Sequence, residues 1–221
     1  MINYQIKKIL VLFVLCQFGC NSTQDCPEGI NLLPMYGNLK KCDSQVQMDT
    51  DFIIESEKQF KNRKLASEYY VSKGWQYFYE NNYDLSMKRF NQAWLLDNKN
   101  ANVYWGFGNL LGLKKDYKSS ISFFEKSIKI NPKNSKVYES LSTSYGQIFF
   151  ETKDIKYINL TIESLKKAVK IEPNNGRMYG QLASAYSYFN QKDSLVKYIK
   201  ITDNIDPKFV NPEVRKFVKN K

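Results

Sequence analysis

The sequence predicts an all-α protein: an α-solenoid of about four antiparallel helix pairs with a capping helix at each end. Three observations predict it. The stretches "YYVSKGWQYFYENNYDLSMKRFNQAWLLDN", "VYWGFGNLLGLKKDYKSSISFFEKSIKINP" and "MYGQLASAYSYFNQKDSLVKYIKITDNIDP" can be written under one another, and the pattern recurs about every 34 residues from Ser67 onward. Within each unit, small and aromatic residues fall at matching places. Prolines 132, 173 and 207 then punctuate the unit ends, where a residue without an N–H stops a helix. At 221 residues, with 43% apolar and 15% aromatic side chains, the chain has enough apolar surface to bury such a core.

The first element, residues 1–19, is of a different kind. Lys7 and Lys8 precede an apolar run at 9–15 that is too short to span a bilayer, which reads as an export signal. Gly19 followed by Cys20 resembles a bacterial lipoprotein box, which implies cleavage and a lipid attached to Cys20. The match departs at Gln17 and Phe18, where an aliphatic and a small residue are usual. An ordinary cleaved signal or an uncleaved anchor is the alternative.

Residues 20–43 read as a lipidated tether. Cys16 leaves with the signal and Cys20 carries the lipid, so Cys26 and Cys42 remain as an even pair outside the cytoplasm, where a disulfide is expected. The loop between them, "PEGINLLPMYGNLKK", has Gly29, Pro34 and Gly37 and no helical period. Closing a loop of this size is worth about 3 kcal/mol. Two free thiols in a tether are the other reading, and no CxxC redox motif is present.

Residues 44–65 are expected to form an N-terminal capping helix, with Asp43 or Ser44 as N-cap and Val46, Phe52, Ile53 and Phe60 as its apolar positions. A solenoid needs such a cover because its end unit has an apolar face without a neighbour.

The repeats occupy 66–209. Unit one, 67–100, supplies Tyr70, Gly74 and Tyr77, then Tyr83, Ser86, Phe90 and Ala93. Unit two, 101–134, supplies Tyr104, Phe107, Gly108, Leu111, Tyr117, Ser120, Phe124, Ser127 and Pro132. Unit three starts with Tyr138, Leu141, Ser142 and Tyr145 but reaches Leu165, Ala168 and Pro173 about seven residues late, so "FFETKDIKYINL" either lengthens both helices by a turn or widens the loop between them. Unit four, 176–209, supplies Tyr179, Leu182, Ala183, Tyr186, Ile199 and Pro207, with Leu195 and Thr202 where small residues are expected. Residues 210–221 are left as a C-terminal capping helix. Gly74, Gly108, Ser142 and Ala183 fall where two helices cross, and their small size admits large neighbours such as Phe90 and Phe124.

This pattern resembles the tetratricopeptide repeat, over about 145 residues. It departs from it at Lys73, where an apolar residue is usual, and at Asn98, where proline is usual. The resemblance implies paired helices whose first members line a concave groove that holds a peptide or partner helix. In that register the groove includes Trp75, Tyr79, Trp105, Asn109, Arg177 and Tyr188. Trp75, Tyr79 and Trp105 are aromatic anchors of the type that dominate binding energy, unless the capping helix covers them. The family's carboxylate clamp is not supported, because Trp105, Ser140 and Gln181 stand at three of its positions and only Asn109 and Arg177 are compatible.

Several function classes are disfavoured. With no histidine in the chain, the commonest general base and zinc ligand are missing, and no Gly-rich phosphate loop or nucleophile elbow appears, so the chain reads as a non-enzyme without cofactor or metal. From 66 to 221 there are 25 Lys or Arg against 15 Asp or Glu, but no nucleic-acid motif accompanies them. A solvated lysine face is the plain explanation. Two functions follow. One is a protein- or peptide-binding scaffold of the bacterial cell envelope, held by its lipid on the periplasmic side or cell surface. The other is a structural envelope protein attached to anionic lipid or polysaccharide through a basic convex face.

Overall fold

The computed structural model describes residues 25–189 and 191–219; the expected signal at 1–19 and Cys20 lie outside the described residues. Among the described residues there are ten α-helices and no strand: α1 (Asp43–Gln59), α2 (Arg63–Tyr79), α3 (Tyr83–Leu96), α4 (Ala101–Leu113), α5 (Tyr117–Ile130), α6 (Ser135–Thr152), α7 (Ile155–Ile171), α8 (Gly176–Ser187), α9 (Lys192–Ile205) and α10 (Pro212–Lys219). The pairs α2·α3, α4·α5, α6·α7 and α8·α9 stack in chain order into the expected solenoid. No described helix is long and apolar enough to cross a membrane.

Asparagine and aspartate set the helix starts. The side chains of Asn62, Asn82, Asn100, Asp116, Asn134, Asp154 and Asn175 each accept a backbone N–H of the first turn of α2 to α8. An uncapped first turn would leave those donors to water. Inside the first two pairs the first helix ends on a left-handed residue, Asn81 (φ 59°) or Lys115 (φ 62°). There the N–H groups of Asn82 and Asp116 reach back to Tyr77 and Leu111 to satisfy orphan carbonyls.

The extra residues of unit three lengthen both helices. α6 and α7 run 18 and 17 residues against 13 and 14 in α4 and α5, and the turn at 153–154 is short, with Lys153 at φ 58°.

Close approach explains the small residues. A methyl group on Gly74 would stand 2.7 Å from Phe90, and one on Gly108 would stand 2.4 Å from Phe124. A second layer of order comes from hydroxyls. Ser86 Oγ donates to the Gly74 carbonyl at 2.9 Å, Ser120 Oγ to that of Gly108 at 2.8 Å, and Thr161 Oγ1 to that of Ser142 at 3.3 Å. In the first three pairs the carbonyl at the small position thus receives a hydroxyl from the facing helix, which gives that buried donor its partner. In the fourth pair Leu195 occupies the hydroxyl's place and packs in a core with Leu182 and Ala183.

The N-terminal region departs from expectation. The span 44–65 is not one helix: α1 stops at Gln59, and Asn62 caps a new start at Arg63, so 63–65 already belong to the first repeat helix. Its N-cap is Cys42 rather than Asp43 or Ser44, and the Gln45 side chain accepts the Cys42 N–H at 3.3 Å. Residues 27–41, read as lacking helical period, contain two 3-10 turns, Ile30–Leu32 and Pro34–Asn38. This segment is a strap closed by the Cys26–Cys42 disulfide. It lies on α3, where the buried Asn91 amide donates to the carbonyls of Asn31 and Leu33, both at 2.9 Å. At the other end the 3-10 turn Pro207–Phe209 and α10 fold back on α8 and α9, burying Val210 and Val214.

Candidate binding groove

The first helices of the pairs line one face. Tyr79 from α2, Trp105 and Asn109 from α4, Lys136, Glu139, Ser140, Thr143 and Gln147 from α6, and Arg177 and Gln181 from α8 border an open cavity of about 710 Å³. Gly108 and Gly112 keep its floor low, and α5 closes it from below with Tyr117, Ser120 and Phe124.

Of the six groove residues expected from sequence, the structure brings four together here: Tyr79, Trp105, Asn109 and Arg177. Trp75 stands behind them. It is half-buried, packs edge-on against Phe90 with ring centres 5.4 Å apart, and supports the Trp105 ring at 4.3 Å. Tyr188 borders an adjoining cavity of about 270 Å³ that shares Thr143, Gln147 and Gln181 with the groove. Its ring meets Phe150 at 5.6 Å.

The capping helix does not cover the aromatic end. α1 places Phe52 against Tyr70, and Phe60, just past its end, sits against Tyr69, so both contacts fall on the first part of α2, and Tyr79 stays 75% exposed. A rigid aromatic surface in contact with water is what a hot-spot residue looks like before its partner arrives.

The polar half is pre-organised. Trp105 Nε1 donates to Ser140 Oγ at 2.9 Å, and the Asn109 amide donates to the Trp105 carbonyl at 2.8 Å, which fixes both side chains. Glu139 is buried and receives Arg177 at 2.7 Å and the Gln181 amide at 3.1 Å. Burial pushes the Glu139 carboxyl above its ordinary range, with Arg177 and Gln181 pulling it back. Gln181 Oε1 is buried without a protein partner.

Register alone puts Arg177 on the groove but gives no sign that it meets Glu139. The ion pair crosses from one repeat to the next, over 38 residues, and only the stacking of α6 on α8 creates it. Among the described residues no group of three or more His, Cys, Asp or Glu is placed to hold a metal. The groove offers hydrogen bonds, ring faces and one exposed guanidinium.

Comparison with known proteins agrees with this architecture. Residues 101–134 match the tetratricopeptide repeat family profile, a stretch that contains the second helix pair, α4 and α5. A search of curated proteins finds no match. Among solved structures, the chain is similar to TTC0263, a thermophilic tetratricopeptide-repeat protein of Thermus thermophilus, with a TM-score of 0.56, 15% identity, and 69% of this chain and 79% of that one covered. It is also similar to MamA, at TM-score 0.56 and 20% identity, covering 77% of this chain and 97% of MamA. A third neighbour is the first tetratricopeptide-repeat domain of Spaghetti (RPAP3), solved with the HSP90 peptide SRMEEVD, at TM-score 0.51 and 14% identity, covering 57% of this chain and 97% of that domain. At these identities the likeness concerns the fold, which is that of a tetratricopeptide-repeat solenoid.

Proposed function

We propose that the protein is a non-catalytic scaffold of the cell envelope, tethered through a lipid on Cys20, whose groove takes a peptide or protein segment of an envelope partner. The single observation that carries the groove reading is the juxtaposition of the exposed Tyr79 and braced Trp105 rings with a fixed polar wall of Asn109, Glu139 and Arg177. Rings supply contact area at little entropic cost, while the wall sets register. The solved neighbour with a bound peptide supports the same use of the fold, though at the clamp positions this chain has Trp105, Ser140 and Gln181, which points to a partner segment recognised along its length. The envelope reading is supported by the export-type residues 1–19, by the Gly19–Cys20 box, and by a disulfide that reducing compartments do not maintain.

Capture from a native envelope extract tests the groove. Tyr79→Ala with Trp105→Ala should reduce partner recovery more than tenfold, as loss of two anchors does, with unchanged helical circular dichroism. Equal recovery by the variant defeats this reading. Mass spectrometry of the mature N-terminus tests the tether separately: an unmodified Cys20 or an intact residue 1 removes the lipid.

A further inference from the structure

The second helices carry a feature the groove does not use. On α5, Lys118, Lys126 and Lys129 fall within roughly 80° of one another around the helix axis, on the side away from the buried Phe124 and Ser127. On α7, Lys156, Lys166, Lys167 and Lys170 fall within roughly 100°, opposite Leu165 and Ala168. α9 adds the exposed Lys197 and Lys200. None of these lysines forms an ion pair among the described residues. The same helix faces hold one acid each, Glu125 on α5, which receives the Tyr145 hydroxyl, Glu163 on α7, and Asp193 in the first turn of α9.

Two further observations select the partner. Ile130 and Ile171, the last residues of α5 and α7, are 40% and 38% exposed beside Lys129 and Lys170. An anionic polysaccharide gains nothing from them, whereas a headgroup region accepts short apolar side chains between lysines. The strap also runs beside this face, with Met35 Sδ 3.8 Å from Lys126 Nζ, so the disulfide-closed segment that follows Cys26 is on this side of the solenoid.

We propose that the outer lysine face of α5, α7 and α9 rests on an anionic lipid surface, leaving the groove turned outward to its partner. The contact goes beyond the groove reading and stands apart from acylation of Cys20, because a lipid anchor partitions alike into neutral and anionic vesicles.

The test compares the full chain with a variant carrying Lys129→Gln, Lys167→Gln, Lys170→Gln and Lys200→Gln, on vesicles of phosphatidylcholine alone or with phosphatidylglycerol. These four lysines make no contact with a ring or a carboxylate, so the fold is preserved and circular dichroism should not change. The parent should partition at least tenfold better onto the anionic vesicles at low salt and lose that preference in high salt. Each lysine near such a surface is worth about fivefold, so the loss of four should cut the preference by about two orders of magnitude while leaving any affinity for the neutral vesicles. Equal partitioning of parent and variant onto anionic vesicles overturns the proposal. So does lysine-dependent retention on dextran sulfate without a preference for phosphatidylglycerol, which would assign the face to a polysaccharide. Loss of binding to neutral vesicles by Cys20→Ala concerns the anchor alone.

Discussion

The two ends of the solenoid are closed by different means. At the C-terminal end the cover is packed: Val210 and Val214 join the core of Leu182, Ala183 and Leu195, and Arg215 is hydrogen-bonded to Asp203 and to the Pro207 carbonyl. At the N-terminal end the cover is stapled. Ser56 is the one fully buried residue of α1, and the strap beside it is held by a disulfide and by the buried Asn91 amide. The difference teaches that a repeat end needs its apolar face covered, and that a cover with few large apolar side chains has its own shape fixed by a disulfide within it before it is laid on the helices.

Gly180 is where the packed end breaks. A side chain there would put its Cβ 2.1 Å from the Phe209 carbonyl oxygen, a backbone atom that cannot rotate aside. Gly180→Leu should lift the 3-10 turn and α10 from α8 and expose Val210 and Val214. Exposing two valines amounts to about 4 kcal/mol, read as a shift of the urea midpoint. Hydrogen exchange should show lost protection at 207–219 and unchanged protection in α2 to α5. A loss below 1 kcal/mol would mean that the turn yields freely and that the end is not held by packing.

For the stapled end, Cys26→Ser with Cys42→Ser should cost about 3 kcal/mol through the freed loop. Amides of Leu32, Leu33, Tyr36 and Leu39, which close the 3-10 turns, should exchange faster. Groove capture should persist, because neither cysteine touches α4, α6 or α8. A cost near zero would show that Asn91 and the ring contacts hold the strap unaided.

The contrast also separates what was legible in the sequence from what was not. Gly74 with Phe90 and Gly108 with Phe124 could be paired because both members lie within one unit at a repeated spacing. Gly106 and Gly180 could not. The first meets Phe90 from the preceding unit, and the second meets the non-repeating turn at Phe209. Ser86, Ser120 and Thr161 occupy recognisable positions, yet their hydroxyl bonds to the facing helix are a property of the crossing geometry. The groove residues Tyr79, Trp105, Asn109 and Arg177 follow from register alone. Glu139 bound to Arg177 does not, since nothing local distinguishes a buried carboxylate from a solvated one until α8 stacks on α6. Asn91 posed the same difficulty, an amide on the outer side of α3 that only the strap buries.

The smallest expected effect sharpens the comparison with pH. Hydrogen bonds from Arg215 hold the Asp203 carboxyl below its ordinary value of 3.8. A carboxylate with a depressed folded-state pKa contributes stability that is present above its unfolded pKa and is lost as the pH falls through the folded one. The pair is about one-third exposed on each side, so its worth is a few tenths of a kcal/mol. Asp203→Asn should therefore lower stability by that amount at pH 6, and the gap between parent and variant should close below about pH 3.8. Exchange at the α10 amides should follow the same course, while strap amides, tied by a bond that does not titrate, should show no difference between parent and variant at either pH. A gap that fails to close in acid would mean that the Asp203 carboxylate is not what Arg215 needs, and that Arg215 holds α10 through the Pro207 carbonyl instead.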